Sequence, residues 1–335
     1  MKKITLILSD NPAKISEVFG KQHMARLKSL VELHPEILSR SSLGNAGLVE
    51  LFGKTEILVS TWGFPALTKE ELNAFPELKI VLYAAGTVKY FAEPFLERGI
   101  TVVSAWQANA VPVAEFSLAQ ILLSCKGYFR NIRESRNPET RLKGKCFAGR
   151  GIYGETVGLI GCGAIARALI GLLKAFNLKV VVFDPYLSDS DVEKLGVEKV
   201  ELLDLFKRAY VVSNHLPNLP STKSMLDRRC FESMRESATF INTGRGAQVV
   251  EQDLIDELKK RPSLCALLDV TFPEPPPADS EMYRLPNLHL SSHIAGSLND
   301  ELGRMAEYVI GDLERWLVGK PLQYQIAPEM FRSMA

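Results

Sequence analysis

The stretch VGLIGCGAIARALIGLLKAFNLKVVVFD, residues 157–184, decides the fold of this chain of 335 residues. A short apolar run predicts a strand, a glycine-rich turn follows, and a segment of helical period leads to a second apolar run, 180–183, and Asp184. A GxGxxG-type motif is informative when it stands between a strand and a helix and is followed by a second strand with an acidic end. The stretch therefore predicts a βαβ unit that binds a dinucleotide, and the alternative is a βαβ unit that binds nothing.

Each position of the turn has a physical task. Gly161 allows the tight turn out of the strand, and Gly163, which has no Cβ, allows the backbone to approach a pyrophosphate. The helix that begins at Ala164 and Ile165 offers that anion unpaired N–H groups and the positive end of its dipole. Ala166 takes the third glycine position, where a small residue permits close packing of helix on strand.

Asp184 indicates which dinucleotide is bound. It lies 21 residues beyond Gly163, near the roughly 20 residues expected for a ribose-binding acid. A carboxylate there accepts hydrogen bonds from the ribose hydroxyls and repels a 2′-phosphate. The residues that follow, Pro185, Tyr186 and Leu187, include no arginine to hold such a phosphate. The sequence therefore predicts NAD rather than NADP.

Composition and charge exclude several classes of function. The chain is 46% hydrophobic and 24% charged, as in ordinary soluble proteins, and its net charge of +1 gives no basic field for nucleic acid or an anionic membrane. The 5 cysteines are scattered without CxxC spacing, which predicts neither a metal site nor a disulfide framework and favours the cytoplasm. No stretch approaches the roughly 18 apolar residues of a membrane span.

Strand-like and helical segments alternate along the rest of the chain, which predicts an α/β protein of about two domains with parallel sheets. The first ~105 residues contain no phosphate fingerprint and are expected to form a domain of their own. Strands are predicted at 4–8, 31–33, 56–60, 79–83, 100–104, 197–200, 210–214, 238–242, 265–270, 287–291 and from 322 onward. Helices are predicted at 13–30, 113–123 (with Pro112 in the first turn), 202–208, 252–260 and 298–318.

Three segments leave two interpretations open. Trp62 and Phe64 follow a predicted strand and either wall a substrate pocket or pack within a loop. Gly86 follows another strand, as part of a nest of N–H groups for a carboxylate or as part of a plain turn. The charged segment 126–145 is either a solvated arm or an arm that wraps a partner subunit.

Three polar residues stand just beyond predicted strands, where ligands of open α/β sheets bind: Arg245, Glu274 and His293. Arg245 offers a planar fork for a carboxylate. Histidine has an unperturbed pKa of about 6.5, which suits proton exchange at neutral pH. Glu274 could orient the imidazole and favour its protonated form. The alternatives are a surface ion pair for Arg245, a solvated loop acid for Glu274 and a capping or core role for His293.

These residues carry a resemblance to a known family. The segments NTGRG (242–246), DVTFPEP (269–275) and HIAG (293–296) resemble the three signatures of the D-isomer-specific 2-hydroxyacid dehydrogenases. GLIGCGAIAR (158–167), preceded by Gly154, resembles that family's cofactor motif, and NAVPVAE (109–115) resembles the start of its linker helix. The motifs stand in the family's order and spacing from about Ser60 to the end of the chain.

The resemblance implies two doubly wound parallel-sheet domains. An NAD-binding Rossmann domain, 109–299, would be inserted in a discontinuous flavodoxin-like substrate domain, 1–108 and 300–335. It also implies a homodimer and a small 2-keto or 2-hydroxy acid as the substrate.

The resemblance further implies a role for each site residue. Arg245 would bind the substrate carboxylate, His293 would be the acid/base and Glu274 its partner. Asp269 would hold the nicotinamide carboxamide. Other residues are implied to line the cofactor (His215, Leu216, Pro217 and Thr243) or to bind the substrate (Ala85 and Gly86). Trp62 is counted with the substrate-binding residues because of its position after a predicted strand.

The sequence also departs from the family's pattern. Ser291 and Ser292 replace the usual Thr-Pro before the histidine, Gly244 replaces the usual alanine, and the usual acid after Gly86 is missing. These departures bear on substrate identity more than on the reaction, and Glu274 argues against a formate dehydrogenase, in which that branch carries a glutamine. Two alternatives remain: a non-catalytic NAD(H)-sensing protein on the same scaffold and an amino-acid dehydrogenase with the same NAD domain.

Overall fold

A computed structural model describes residues 2–139 and 149–333. The chain divides into two compact units. The first unit comprises residues up to Asn109 and from Ser297 onward, and the second unit runs from Ala110 to Gly296. The boundaries expected from the sequence lie one and three residues away from these two crossings.

Parallel sheets form the centre of both units. The first sheet has the order β2-β1-β3-β4-β5 and the second has the order β12-β11-β10-β9-β6-β7-β8. The strands are β1 Ile4–Leu8, β2 Glu32–Leu38, β3 Ile57–Ser60, β4 Ile80–Tyr83, β5 Thr101–Ser104, β6 Thr156–Ile160, β7 Lys179–Phe183, β8 Glu198–Lys199, β9 Val211–Asn214, β10 Thr239–Asn242, β11 Cys265–Leu268 and β12 Leu288–Leu290. The first order is flavodoxin-like and the second contains the Rossmann order, so the predicted fold class is confirmed.

Helices connect the parallel strands. They are α1 Pro12–Val18, α2 Lys21–Leu30, α3 Val49–Lys54, α4 Glu93–Glu97, α5 Trp106–Cys125, α6 Tyr128–Glu134, α7 Ala164–Leu173, α8 Asp189–Leu195, α9 Leu202–Arg208, α10 Arg228–Glu232, α11 Glu251–Lys260, α12 Leu302–Leu317 and α13 Pro328–Ser333.

Both faces of the first sheet are buried, which explains its uniformly apolar strands. Along β3, Ile57 and Val59 belong to one core cluster and Leu58 to the other, because successive side chains of a strand point to opposite faces. Helix α12 covers the first of these faces with residues such as Val309 and Leu313. Strands buried on both faces are typical of parallel sheets with helices on either side.

The structure corrects the predicted start of helix α5. The helix begins at Trp106, so Pro112 lies inside it rather than in its first turn. An interior proline removes a helical hydrogen bond. Ala108 and Ala114 on either side of it are fully buried, and tertiary packing of this kind stabilises a helix beyond its local propensity.

Helix α5 is relevant to the expectation about membranes. Among the described residues it is the one helix that is long and apolar enough, by length and composition, to cross a membrane. Half of the qualifying window is buried inside the protein, and the core helix of a soluble protein passes the same test. The sequence contains no continuous apolar run there because Gln107, Asn109 and Glu115 interrupt it.

Other differences are local. The predicted helix 13–30 is two helices, α1 and α2, separated at Phe19 and Gly20. Strand β2 is longer than predicted, and β11 ends before Asp269, which follows the strand. The tail predicted as a strand makes one isolated bridge, between Gln325 and Val103.

The helical period of the segment after the glycine-rich turn predicts that Ile165, Leu169, Leu172, Leu173 and Phe176 share one side, and helix α7 turns a slightly different face to the core. Its buried residues are Ala166, Leu169, Ile170 and Leu173, whereas Leu172 is exposed. The helix ends at Leu173, so Phe176 lies beyond it.

The charged segment 126–145 is only partly described. Up to residue 139 it contains helix α6, in which Arg130 contacts Glu134 and Ser237, and Arg133 donates to the carbonyl of Pro262 at 3.1 Å. This part is bonded to the rest of the second unit and is not a fully solvated arm. Arg141, Lys143 and Lys145 lie outside the described residues.

Gly158 in strand β6 lies at a tightly packed position of the second unit. A Cβ at this position would lie 2.5 Å from Cδ2 of the buried Leu205 and 2.9 Å from Cβ of Ala209. Overpacking of a core typically costs about 1–3 kcal/mol, so we expect Gly158→Ala to lower the midpoint of thermal unfolding.

Gly171→Ala is the matched control, because a Cβ there meets no atom within 4 Å. It replaces a helical glycine and should stabilise the protein by up to about 1 kcal/mol. Equal midpoints for the two variants would contradict the packing described for Gly158.

Candidate functional site

The glycine-rich turn after strand β6 has the geometry that the motif predicts. Gly161 has φ of +87°, and a Cβ there would lie 2.9 Å from the carbonyl oxygen of His215. The conformation and the close approach both require glycine. A Cβ on Gly163 would meet nothing within 4 Å, so the space beside its backbone is open to a ligand. Helix α7 begins directly at Ala164 and Ile165, and its N-terminal N–H groups suit a phosphate there.

Asp184 follows strand β7 and is anchored by backbone N–H groups. Its Oδ2 accepts from Cys162 N at 2.7 Å and its Oδ1 accepts from Tyr186 N at 2.8 Å. Each oxygen of a carboxylate can accept more than one hydrogen bond. The side chain is therefore oriented and can still accept from ribose hydroxyls.

Arg167 lies beside this carboxylate. It was not predicted from the sequence, because an arginine near the ribose was sought only among the residues after Asp184. Its Nε donates to Cys162 O at 3.0 Å and its Nη2 to Asp191 Oδ2 at 2.9 Å. The bond to Asp191 raises the pKa of Arg167, and the charge of Asp184 adds to this. The signal available in the sequence was its position in the first turn of the helix after the glycines.

His215 is a buried, internally bonded histidine. Its Nε2 lies 3.0 Å from Ser213 Oγ and its Nδ1 lies 3.3 Å from Thr243 Oγ1. Burial lowers the pKa of His215 to about 4, so the imidazole is neutral near pH 7. Leu216 is buried and Pro217 is half-exposed, so these three residues present different amounts of surface to a cofactor.

Arg245 follows strand β10 in a half-buried position. Its Nη1 donates to Gly244 O at 2.7 Å. Burial lowers the pKa of Arg245, and the negative charge of Glu274 opposes this effect, which means that the two side chains are electrostatically coupled. A Cβ on Gly246 would lie 2.0 Å from the carbonyl carbon of Thr271. Glycine at 246 therefore allows the Arg245 loop to pack directly against the backbone that leads to Glu274.

His293 and Glu274 form a hydrogen-bonded pair. The distance from His293 Nδ1 to Glu274 Oε1 is 2.7 Å, and the two side chains are 46% and 41% exposed. Because Nδ1 faces the carboxylate, Nε2 is the nitrogen that can exchange a proton with a ligand. The structure thus brings Arg245, Glu274 and His293 into one region of the second unit.

The loop that carries His293 is held by the buried carboxylate of Asp269. Asp269 Oδ1 accepts from Ser291 Oγ at 2.6 Å and from Ile294 N at 2.9 Å, and its Oδ2 accepts from Ala295 N at 2.9 Å. These donors flank His293, whose φ of +58° lies in the left-handed region. Asp269 therefore positions the histidine, a role that the resemblance did not imply, while its contact with nicotinamide stays a prediction.

Trp62 and Phe64 have different surroundings in the first unit. Trp62 lines a cavity of about 570 Å³. The other lining residues are Lys14, Glu17, Ser297, Leu298, Asn299, Asp300 and Leu302. Phe64 is 2% exposed and packs against Phe91 and Phe95, with ring centroids 4.7 and 5.8 Å away. Trp62 thus faces a cavity, and Phe64 belongs to the core.

Ala85 and Gly86 form the turn after strand β4. Ser104 Oγ donates to the carbonyl oxygens of both, at 2.9 and 2.6 Å. Gly86 is not among the glycines with positive φ, so the turn does not use the left-handed conformation that glycine allows. A Cβ on Gly86 would meet only Asn109 Nδ2, at 3.7 Å, which leaves room for a ligand beside it.

The buried His215 generates a prediction about pH. Because its pKa falls from 6.5 to about 4 on folding, the unfolded chain binds a proton between these pH values that the folded chain does not. Stability is therefore lost as the pH is lowered through this window. Between pH 7 and pH 5 the expected loss from this residue is about 2 kcal/mol.

Thermal unfolding of His215→Gln at both pH values measures this effect. The difference between its two midpoints should be smaller than in the parent protein. His34→Gln, which replaces a half-exposed histidine, should retain the parent's difference. The same pH dependence in His215→Gln and the parent would contradict the account.

Comparisons with known proteins agree with this geometry. Residues 118–295 match the family described as D-isomer specific 2-hydroxyacid dehydrogenase, NAD binding domain. The D-3-phosphoglycerate dehydrogenase of Methanocaldococcus jannaschii is 30% identical over 294 residues, 87% of this chain and 55% of that protein. That of Mycobacterium bovis is 31% identical over 75% of this chain and 47% of that protein. The chain spans about half the length of these relatives.

Solved structures show the same fold. A phosphoglycerate oxidoreductase from Rhizobium etli superimposes with a TM-score of 0.81 at 26% identity, covering 98% of this chain and 99% of the other. The D-mandelate dehydrogenase of Rhodotorula graminis gives a TM-score of 0.80 at 22% identity, with coverages of 97% and 98%. The matched domain is an NAD-binding domain, which confirms the predicted cofactor. The chain therefore belongs to the D-isomer specific 2-hydroxyacid dehydrogenase family.

Proposed function

We propose that this protein is an NAD-dependent oxidoreductase that interconverts a 2-keto acid and a D-2-hydroxy acid. The observation that carries the proposal is the 2.7 Å hydrogen bond between His293 Nδ1 and Glu274 Oε1, with Arg245 electrostatically coupled to the same glutamate. An acid/base held by a carboxylate, together with a cation for the substrate carboxylate, is what reduction of a keto acid requires.

Arg245 binds the substrate carboxylate in this proposal. Its guanidinium is partly removed from water, which strengthens its attraction to an anion. Its planar fork can contact both carboxylate oxygens and also polarise the adjacent carbonyl. The bond from Nη1 to Gly244 O fixes one edge of the fork and leaves the other nitrogens for the ligand.

His293 supplies the proton in this proposal. NADH, when bound, supplies the hydride that reduces the keto carbon. His293 donates its Nε2 proton to the alkoxide that forms, and in the oxidative direction it accepts that proton back. Glu274 keeps Nδ1 protonated and stabilises the imidazolium, and both positive groups face the charge that develops in the transition state.

The glycine-rich turn and the loops beyond β7, β9, β10 and β11 hold the cofactor in this proposal. Gly161, Gly163, Ala164 and Ile165 contact the pyrophosphate, and Asp184 contacts the ribose. Leu216, Pro217 and Thr243 line the remainder, His215 contributes by fixing Thr243, and Asp269 contacts the nicotinamide while it positions the histidine loop. The support is the open space at Gly163 and the oriented carboxylate of Asp184.

Trp62, Ala85 and Gly86 of the first unit bind the substrate in this proposal. The cavity beside Trp62 and the space beside Gly86 support this. We further propose a cytoplasmic homodimer with no nucleic-acid or membrane partner. The scattered cysteines and the net charge of +1 support the location and the absence of those partners, and the family resemblance supports the dimer.

A non-catalytic NAD(H) sensor is less well supported. Such a protein has no need of a hydrogen-bonded histidine and glutamate beside an arginine. The pair in this chain is geometrically formed, which favours catalysis.

Loss of NADH absorbance tests the proposal, with glyoxylate, pyruvate, hydroxypyruvate, 2-ketoisocaproate and phenylpyruvate as substrates. We expect the parent to oxidise NADH with at least one of them. His293→Ala should lower kcat by about 10²–10⁴-fold, and Arg245→Ala should also raise KM steeply. Glu274→Gln should lower kcat, because a neutral amide replaces the carboxylate that holds His293 Nδ1 at 2.7 Å.

His34→Ala is the control, since His34 is half-exposed and bonds to the backbone of Glu36. It should match the parent. NADH binding, followed by fluorescence, should persist in all variants. A parent that binds NADH without turnover on the whole panel would contradict the proposal and favour the sensor, and normal turnover by His293→Ala would contradict the assigned role.

A further inference from the structure

Three buried amide side chains lie beneath the Arg245 loop, and none of them belongs to the proposed catalytic set. Asn214 and Asn242 end the neighbouring strands β9 and β10, and Gln248 follows the arginine loop. They are 0%, 1% and 0% exposed, respectively. Buried amides are costly unless they are hydrogen-bonded, so their partners indicate what they hold in place. We call these three residues the amide network.

The amide network is bonded internally. Asn214 Nδ2 donates to Asn242 Oδ1 at 2.9 Å and to Gln248 Oε1 at 2.7 Å. Asn214 Oδ1 accepts from Leu216 N at 3.2 Å. The network therefore connects two strand ends with the segment that follows β9.

Gln248 uses its whole hydrogen-bonding capacity. Its Oε1 accepts from Arg245 N at 3.1 Å in addition to Asn214, and its Nε2 donates to Leu216 O at 2.8 Å and to Pro217 O at 2.9 Å. An amide has two donor hydrogens and two acceptor lone pairs, and all four are occupied. One side chain thus ties the backbone of Arg245 to the segment proposed to line the cofactor.

Asn242 holds the same loop from the other side. Its Nδ2 donates to Arg245 O at 3.3 Å, and its Oδ1 accepts from Gly244 N at 3.0 Å. The N–H and the C=O of Arg245 are therefore both bonded to the amide network. The direction in which the arginine side chain leaves the backbone depends on these bonds.

Gly244 provides the space that the network occupies. A Cβ at this position would lie 2.8 Å from Gln248 Oε1 and 2.9 Å from Asn214 Nδ2. Alanine at 244 would therefore displace the amides, whereas glycine admits them. The presence of Gly244 where the family usually has alanine is therefore explained by the position of Gln248.

We propose that Gln248 is a positioning residue that fixes Arg245 for the substrate carboxylate, and that Gly244 and Gln248 act as a coupled pair. This inference rests on the proposed function, in which Arg245 binds a 2-keto acid. In this proposal the affinity for the substrate depends on Gln248, a buried residue that does not contact the substrate. Glycine is required at position 244 because Gln248 occupies the space that a Cβ would take.

Kinetics of Gln248→Met, Gln248→Ala, Gly244→Ala and the double variant test the coupling. Gln248→Met keeps the volume and removes all four bonds, so it should raise KM for the keto acid about tenfold or more with kcat within about threefold. Gly244→Ala should also raise KM. The double variant Gly244→Ala/Gln248→Ala should have a KM no higher than Gln248→Ala alone. The shortened side chain removes the 2.8 Å contact with Gln248 Oε1, and it frees Asn214 Nδ2 from its bond to Gln248 so that this amide can move away from the added Cβ.

Gln252→Met is the matched control. Gln252 lies on helix α11 and is exposed, and within the described part of the chain its side chain bonds to the half-exposed Asp256 at 2.9 Å. This variant should keep the parent's KM. Additive effects in the double variant, or a normal KM in Gln248→Met, would overturn the coupling.

Hydrogen–deuterium exchange separates this inference from the proposed function, because it requires no turnover. Exchange in residues 243–249 should be faster in Gln248→Met than in the parent or in Gln252→Met, since the bond from Arg245 N is lost. Unchanged exchange would overturn the positioning role even if the parent is active. If the parent reduces no keto acid and exchange is nevertheless faster, the proposed function fails and the structural role of Gln248 stands.

Discussion

The buried carboxylate of Asp269 is the group on which the candidate site depends. It stands directly beyond strand β11 and is 2% exposed, so it would be costly to bury without partners. Its three donors come from the residues around His293, and hydrogen bonds to a charged acceptor are about twice as strong as neutral ones. They hold His293 at φ of +58°, a conformation that few non-glycine residues adopt. The position of the imidazole beside Glu274 thus depends on the Asp269 carboxylate, which lies directly after strand β11 of the second sheet.

Close backbone approaches bring the remaining groups to the same region. Gly246 lets the Arg245 loop lie against the backbone of Thr271, and the following residues carry Glu274. The parallel sheet supplies the common edge, because the carboxyl ends of β10, β11 and β12 lie next to one another. The candidate site therefore lies at neighbouring strand ends. Buried polar groups fix the loops that follow these strands, and glycines allow the loops to pack closely against one another.

Local patterns predicted the parts of this structure that depend on local physics. The apolar runs, the GxGxxA turn and Asp184 each need only neighbouring residues, and their predictions agree with the strands and helix observed. Tertiary contacts decided the rest. Burial stabilises helix α5 although Pro112 lies inside it, and Phe64 packs against other aromatic side chains in the core. The bonds that join Gln248 to Leu216 and Asp269 to Ser291 connect residues 22 to 32 positions apart, and no spacing rule relates such pairs.

In the proposed reaction, hydride is transferred to a keto carbon and His293 donates a proton. Its most direct test is the fate of deuterium from NADH labelled at C4, with each of the two labelled stereoisomers, in the presence of a keto acid that the protein reduces. We expect that one of the two stereoisomers places a single deuterium on C2 of a product that is entirely the D-2-hydroxy acid. An L-hydroxy acid, or a product without deuterium from either stereoisomer, would contradict it.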